Sequence, residues 1–148
     1  MRAVYTPLRA YAAVVGALSD DPDDLVQEAI ARTLRITSLA EIDNPLAYLR
    51  RAVTNLVINH ARSDHTDETR LRIIGGSGEV EDAYPSELSI LELIPPAERA
   101  AVYLADVEGR PFDEVAHMLG CTAVAARLRA SRGRRRLRRA LETLEEQT

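Results

Sequence analysis

Apolar residues recur every three or four positions along much of the chain, which is the spacing of one face of an α-helix. The first helix is predicted from Pro7 to about Leu18. Its apolar stripe consists of Leu8, Tyr11, Ala12, Val15 and Leu18. Asp21 as a capping residue and Pro22 in the first turn predict a second helix that reaches about Ile36. No segment alternates apolar and polar residues as a strand does, so the pattern predicts an all-α fold.

Four more helices follow from the same signals. Asn44 as a cap and Pro45 in the first turn predict a third helix from Pro45 to about Ser63. Near the other end, helices are predicted from Pro96 to about Val107 and from Pro111 to Leu119. Thr122 is a suitable cap for a long last helix that reaches about Glu145.

Residues 66–90 differ in composition from the rest, because they are rich in glycine and acidic residues. Such a segment is typical of a flexible linker, and a structureless stretch of this length is uncommon inside one compact domain. We therefore predict two small helical domains, residues 1–65 and 91–148, joined by a flexible acidic linker at residues 66–90.

The predicted third helix carries two opposite faces. Its apolar face suits a core. The opposite face holds an aromatic ring, guanidinium groups and amides, namely Tyr48, Arg51, Asn55, Asn59 and Arg62. Amides pair with base edges, guanidinium groups bind phosphates, and a tyrosine ring stacks on an unpaired base. The spacing alone leaves nucleic-acid contact and an ordinary solvated face as equal alternatives.

Charge is distributed unevenly. The chain has 19 basic residues against 23 acidic ones, yet eight arginines lie between Arg127 and Arg139. They lie on the second of two helices separated by a short Gly-Cys-Thr turn, which is helix-turn-helix spacing, and this combination favours DNA over a purely structural role. The predicted DNA-binding residues of this segment are Thr122, Arg127, Arg129, Ser131, Arg132, Arg134, Arg135 and Arg136. The first of them are placed for bases, and those from Arg134 onward for phosphates.

Other chemistry is not indicated. A single cysteine, Cys121, excludes an internal disulfide and fits a reducing cytoplasm. No convergent cluster of titratable residues indicates an enzyme, and no metal or other cofactor is expected. The apolar runs are too short to cross a membrane.

Three segments in order resemble the extracytoplasmic-function sigma factors of bacterial RNA polymerase. They are "DDLVQEAIARTL", "NPLAYLRRAVTNLVINHAR" and "LIPPAERAAVYLADVEGRPFDEVAHMLGCTAVAARLRASRGRRRLRRAL", and together they cover just over half of the chain. They are similar to that family's polymerase-binding helix, its promoter-melting helix and its C-terminal helix-turn-helix.

The resemblance implies partners and roles. Core RNA polymerase would be bound through the clamp helices of its largest subunit and the flap of its second-largest subunit. The implied polymerase-binding residues are Asp24, Leu25, Gln27, Glu28 and Arg32. Promoter DNA would be bound near −10 by the face that includes Tyr48 and Arg62, and at −35 by the helix that begins after Thr122. An anti-sigma factor is a further implied partner.

Some positions depart from the family's usual residues. Tyr48 stands where tryptophan is common, Thr54 where arginine is common and Asn59 where aspartate is common. Two alternatives therefore stay open beside a sigma factor. One is a diverged protein that binds polymerase or a regulator without initiating, and the other is a stand-alone helix-turn-helix repressor.

Overall fold

The computed structural model describes residues 2–18, 20–74 and 89–147, and within these ranges all regular structure is helical. The predicted all-α class is therefore confirmed. The elements are α1 (Arg2–Gly16), α2 (Pro22–Ile36), a 3-10 turn (Leu39–Glu41), α3 (Pro45–Ile74), α4 (Ser89–Glu92), α5 (Pro96–Val102), a π-helical turn (Tyr103–Val107), α6 (Phe112–Leu119) and α7 (Ala123–Glu146).

Helices α1, α2 and α3 pack around one another in the N-terminal half. Four residues of the predicted stripe of α1, Leu8, Tyr11, Ala12 and Val15, are buried in the core. The fifth, Leu18, lies beyond the end of α1 at Gly16 and is 55% exposed. However, α1 begins at Arg2 and not at Pro7. A proline inside a helix lacks an N–H donor, and its ring crowds the carbonyl four residues earlier. The turn before Pro7 is joined to α2 by the Tyr5 hydroxyl, which donates to Asp23 Oδ1 at 2.7 Å.

The third helix is also longer than the sequence predicts. It continues beyond Ser63 to Ile74, so it takes in the first residues of the segment expected to be a linker. No glycine or proline interrupts residues 64–74, and the first glycine is Gly75. Residues 75–88 of the predicted linker lie outside the described residues.

In the C-terminal half, α7 packs mainly on α5 and α6. The predicted helix from Pro96 to Val107 is present, but its last turn is π-helical and ends with a hydrogen bond from Glu108 N to Tyr103 O of 3.1 Å. Gly109 and Gly120 both have left-handed backbone angles, with φ of 65° and 67°. Gly109 follows the helix that precedes α6, and Gly120 ends α6 itself, as their sequence positions predict.

The two halves pack against each other around one continuous apolar core. The rings of Tyr11 and Tyr103 have centroids 5.8 Å apart, and the helix pairs α1/α5, α3/α5 and α3/α6 are in contact. Two buried arginines join the halves. Arg99 donates from Nε to the carbonyl oxygen of Val15 at 2.9 Å, and Arg50 pairs with Glu108.

Candidate nucleic-acid interface

The exposed face of α3 forms one wall of a cavity of about 590 Å³. The other walls come from α2, from the loop before α3 and from one residue of α6. The polar residues among those that line it are Arg32, Thr33, Asp43, Asn44, Tyr48, Arg51, Asn55, Asn59 and His117. Four residues of the predicted α3 face therefore meet in one place, whereas Arg62, also exposed, lies outside the lining.

Local sequence fixes the orientation of this face. The side chain of Asn44 accepts a hydrogen bond from the N–H of Ala47 at 3.2 Å, which caps α3 as expected. Leu49 and Val53 are buried on the inner side, so Tyr48 points outward and is 40% exposed. The inner side also explains one departure from the family pattern. Thr54 is buried, hydrogen-bonds to Tyr11 and donates to the carbonyl of Arg50 at 2.8 Å, so a small hydroxyl side chain suits this position.

The cavity offers the chemistry of a base-sized binding site. Tyr48 supplies an aromatic ring, and Asn55 and Asn59 supply amides that both donate and accept hydrogen bonds. Arg51 supplies a cation at the edge. Stacking plus amide contact is the combination by which proteins hold an unpaired base, while the cation is suited to phosphate.

The predicted polymerase-binding surface lies on α2, next to this cavity. Asp24 and Gln27 are exposed, and Arg32 Nη2 pairs with Glu28 Oε1 at 2.8 Å. Leu25 differs from the others because its side chain is only 2% exposed, so it supports α2 from beneath and does not offer a contact. Arg32 also lines the cavity, and the two predicted surfaces are therefore contiguous.

The start of α2 is held by an acidic capping arrangement. Asp21 Oδ1 accepts from the N–H groups of Asp23 and Asp24 at 2.8 and 3.4 Å. The pKa of Asp23 is lowered because Tyr5 and then Arg9 donate hydrogen bonds to its carboxylate. Asp23 therefore serves the packing of α1 on α2, whereas Asp24, one residue later, has an exposed side chain.

The helix-turn-helix geometry is formed by α6, the turn at Gly120 and α7. The Thr122 hydroxyl accepts from the N–H of Ala125 at 3.1 Å, so the predicted cap is present. Ala126, Ala130 and Gly133 are buried along the inner side of α7. A Cβ atom at Gly133 would lie 2.7 Å from Val102 Cγ2, so this glycine is required by the close approach of α7 to α5.

The arginines of α7 have unequal surroundings. Arg127 lies over the Phe112 ring, with its Cζ atom 5.6 Å from the ring centroid. Arg134 donates to both carboxylate oxygens of Asp106, with Nε at 2.7 Å from Oδ2. The pair occupies Nε and Nη2, so Nη1 is the nitrogen of Arg134 that this carboxylate does not engage.

The remaining predicted residues of α7 also differ in their surroundings. Arg136 Nε lies 2.9 Å from Glu98 Oε2, so it is also engaged inside the protein. Arg129 is half-buried, whereas Ser131, Arg132 and Arg135 are exposed. The exposed members are the ones best placed for DNA.

Three residues that join the two halves were not singled out from the sequence: Arg50, Arg99 and Glu108. A signal existed for Arg50, since it lies four residues after Leu46 and three before Val53, on the apolar face of α3. A charged residue within an apolar stripe indicates a buried partner. The partner's position, 58 residues away, could not be obtained from that stripe.

The described ranges contain no group of three or more His, Cys, Asp or Glu side chains arranged to hold a metal ion. Over the same ranges, none of the helices combines the length and apolar character that a membrane crossing requires.

Comparison with known proteins gives a consistent result. The Sigma-70 region 2 model matches residues 1–66, and the Sigma-70 region 4 model matches residues 88–137. The chain is 29% identical over 131 residues to the probable ECF RNA polymerase sigma factor SigI of Mycobacterium tuberculosis, covering 78% of this chain and 45% of SigI. It is also 29% identical over 132 residues to the ECF sigma factor SigE of Mycolicibacterium smegmatis, covering 80% of this chain and 51% of SigE. The chain thus spans about half the length of these relatives.

A solved structure shares the fold. The sigma factor RpoE of Bartonella quintana, in complex with the anti-sigma factor NepR, matches with a TM-score of 0.71 and 22% identity, over 95% of this chain and 93% of that one. The two region models follow one another along most of the sequence, as the three resembling segments do. The chain therefore belongs to the sigma-70 family, in its extracytoplasmic-function group.

Proposed function

We propose that this protein is an alternative-type sigma factor that binds core RNA polymerase, directs it to a promoter and helps to start transcription. One observation carries the proposal: two surfaces suited to nucleic acid occur in one chain, the cavity at Tyr48 and the exposed side of α7. They lie in the segments that match sigma regions 2 and 4. In this function the protein catalyses no reaction of its own, needs no cofactor, and works in the cytoplasm beside polymerase.

The exposed side of α2 would dock on the clamp helices of the largest polymerase subunit. Asp24 and Gln27 are accessible there, and the Glu28–Arg32 pair presents opposite charges one helical turn apart. Region 4 would contact the flap of the second-largest subunit. An anti-sigma factor, the class of protein bound by the Bartonella relative, is proposed as a further partner.

The cavity would hold a base of the −10 element after the strands separate. The ring of Tyr48 can stack on that base, and the amide of Asn55 can pair with its edge. Binding to only the melted state shifts the equilibrium between paired and melted DNA toward melting. The same cavity would not be filled by a base that remains in the duplex.

Tyr48→Ala is therefore expected to lower open-complex formation on a duplex promoter by about tenfold, since stacking on one base contributes about 1–3 kcal/mol. Tyr48→Phe, which keeps the ring, should remain close to wild type. On a template already unpaired at −10, Tyr48→Ala should lose affinity by a similar factor, because the same stacking contact is missing, whereas binding to the closed duplex should be unchanged. An equal loss of affinity for the closed duplex would contradict a role in melting. Permanganate reactivity of unpaired thymines measures the open complex.

The docking surface is tested by charge reversal. Asp24→Arg is expected to weaken binding to core polymerase at least tenfold, because a like charge placed in an interface costs several kcal/mol. Gln27→Ala should have a smaller effect. Glu142→Arg makes the same charge change on the exposed end of α7 and should leave affinity unchanged. Co-purification with core enzyme gives the first measurement, and equal losses for both reversals would contradict the assigned surface.

Reconstituted transcription decides between the open alternatives. Core enzyme, the chain and a supercoiled promoter library should give initiation above core enzyme alone. Binding to core without initiation would favour the diverged, non-initiating protein. Tight duplex binding that needs no polymerase and is indifferent to Asp24→Arg would favour the stand-alone repressor.

The two nucleic-acid surfaces lie close together in the packed form, whereas the two promoter elements that they would bind lie far apart. In the packed form a Cβ atom at Gly120, in the turn before α7, would lie 2.9 Å from Arg51 Nη2, so the two nucleic-acid surfaces adjoin. The −35 and −10 elements are separated by about 25 base pairs, or about 85 Å of duplex. The longest helix, α3, is only about 45 Å long. Simultaneous recognition of both elements therefore requires the two halves to separate, with polymerase holding them apart.

A further inference from the structure

The outward side of α7 begins with two apolar side chains. Buried Ala126, Ala130 and Gly133 define the inner side. The opposite side carries, at alternating intervals of four and three residues, Val124, Leu128, Ser131, Arg135 and Arg138. The first two are 72% and 47% exposed. The outward stripe is therefore apolar at its beginning and cationic at its end.

Neither Val124 nor Leu128 belongs to the core of this chain. Valine at an exposed helical position also has a lower helix propensity than alanine, so helix stability does not favour it there. An exposed apolar pair of this kind suits contact with a partner. Its position in the first turns of the second helix of a helix-turn-helix is the one from which side chains reach base edges.

Charge identifies the partner as duplex DNA. Exposed Arg127 and Arg132 flank the apolar pair on either side, and Arg135 and Arg138 continue the stripe. Guanidinium groups in these positions are suited to bind phosphates of the two DNA backbones, which border a major groove about 12 Å wide. A protein partner would instead need acidic groups around an apolar patch to satisfy the same arginines.

Within a major groove, the apolar group among the four standard bases is the C5-methyl of thymine. We infer that Val124 and Leu128 are specificity-determining residues that contact thymine methyl groups in the −35 element. The inference rests on the proposed function, because it assumes that α7 enters the major groove of a promoter.

Replacement of thymine by uracil tests this contact, because the exchange removes the methyl group and keeps every hydrogen bond. Holoenzyme containing the full chain is bound to promoters found in the transcription assay, with single thymines of the −35 element replaced by uracil. At one or two positions, affinity should fall about fourfold, the factor that corresponds to ~0.8 kcal/mol for burial of one methyl-sized group. Val124→Ala should bind thymine DNA more weakly and should lose most of the difference between thymine and uracil.

Val107→Ala provides the matched control, because Val107 is 69% exposed but lies outside α7. This variant should keep the full thymine preference. Initiation by wild type without any thymine preference in the −35 element would overturn the inference and leave the proposed function intact. Equal weakening by Val124→Ala on DNA that lacks a −35 element would also overturn it, in favour of a polymerase contact. If the holoenzyme initiates nowhere, the proposed function fails and the inference fails with it.

Discussion

Arg99→Met is expected to lower the free energy of unfolding by about 3 kcal/mol or more. Arg99 is 6% exposed, and burial lowers the pKa of its guanidinium group. It donates to the carbonyl oxygens of Val15, Leu91 and Ile94. Methionine fills a similar volume but leaves these three acceptors without that donor, and a buried acceptor that loses its partner costs about 1–3 kcal/mol.

Chemical denaturation followed by far-UV circular dichroism measures this loss. Arg99→Lys should recover only part of it, since one ammonium group cannot reach acceptors on several sides as a planar guanidinium does. Arg110→Met is a suitable comparison, because Arg110 is a third exposed and its pairs with Glu108 and Glu114 are partly solvated. A loss for Arg99→Met no larger than that for Arg110→Met would contradict the proposed importance of the three carbonyl contacts.

The sequence was informative where local chemistry decides the structure. Helix starts at Asn44 and Thr122, and the helix end at Gly120, follow from capping side chains and from a left-handed glycine. Likewise, the face of α3 that lines the cavity follows from helical periodicity, because residues on one stripe must share one side. These features depend on neighbours within four residues.

The sequence was uninformative where distant segments decide. The close packing of the two halves depends on Arg50, Arg99 and Glu108, whose partners in the opposite half lie 58 to 84 residues away. Conversely, the sequence predicts phosphate contacts for the arginines from Arg134 onward, yet Arg134 and Arg136 are paired with Asp106 and Glu98 of the same half. Local patterns identify an arginine as basic but cannot reveal which carboxylate the fold brings to it.

The second large effect is expected at the ion pair between the halves. Arg50 is 3% exposed and pairs with Glu108, while among the described residues its Nε and Nη1 atoms have no hydrogen-bond partner. Glu108→Ala would leave this charge buried and uncompensated, which costs about 3–5 kcal/mol in the packed arrangement. Once the halves separate, Arg50 becomes solvated, so the separated arrangement does not carry that cost.

Glu108→Ala should therefore favour separation of the halves and should bind core polymerase more tightly than wild type. If only the form with separated halves binds polymerase, the apparent Kd equals the intrinsic Kd divided by the fraction of the protein in that form. Each 1.4 kcal/mol lost from the stability of the packed form therefore tightens binding up to tenfold. A fluorescence titration with core enzyme measures the Kd, and a pair of labels on α2 and α7 reports the separation.

Two variants distinguish release of the halves from general damage. Glu114→Ala removes an exposed carboxylate that also pairs with an arginine, and it should change neither stability nor affinity by more than about 1 kcal/mol. Replacing both members of the buried pair, Arg50→Leu with Glu108→Leu, removes the uncompensated charge and should restore the packed form and the wild-type Kd. Retained helicity with an unchanged Kd in Glu108→Ala would show that separation of the halves does not limit binding. Tighter binding that is lost again in the double variant would establish that the buried ion pair sets the cost of opening.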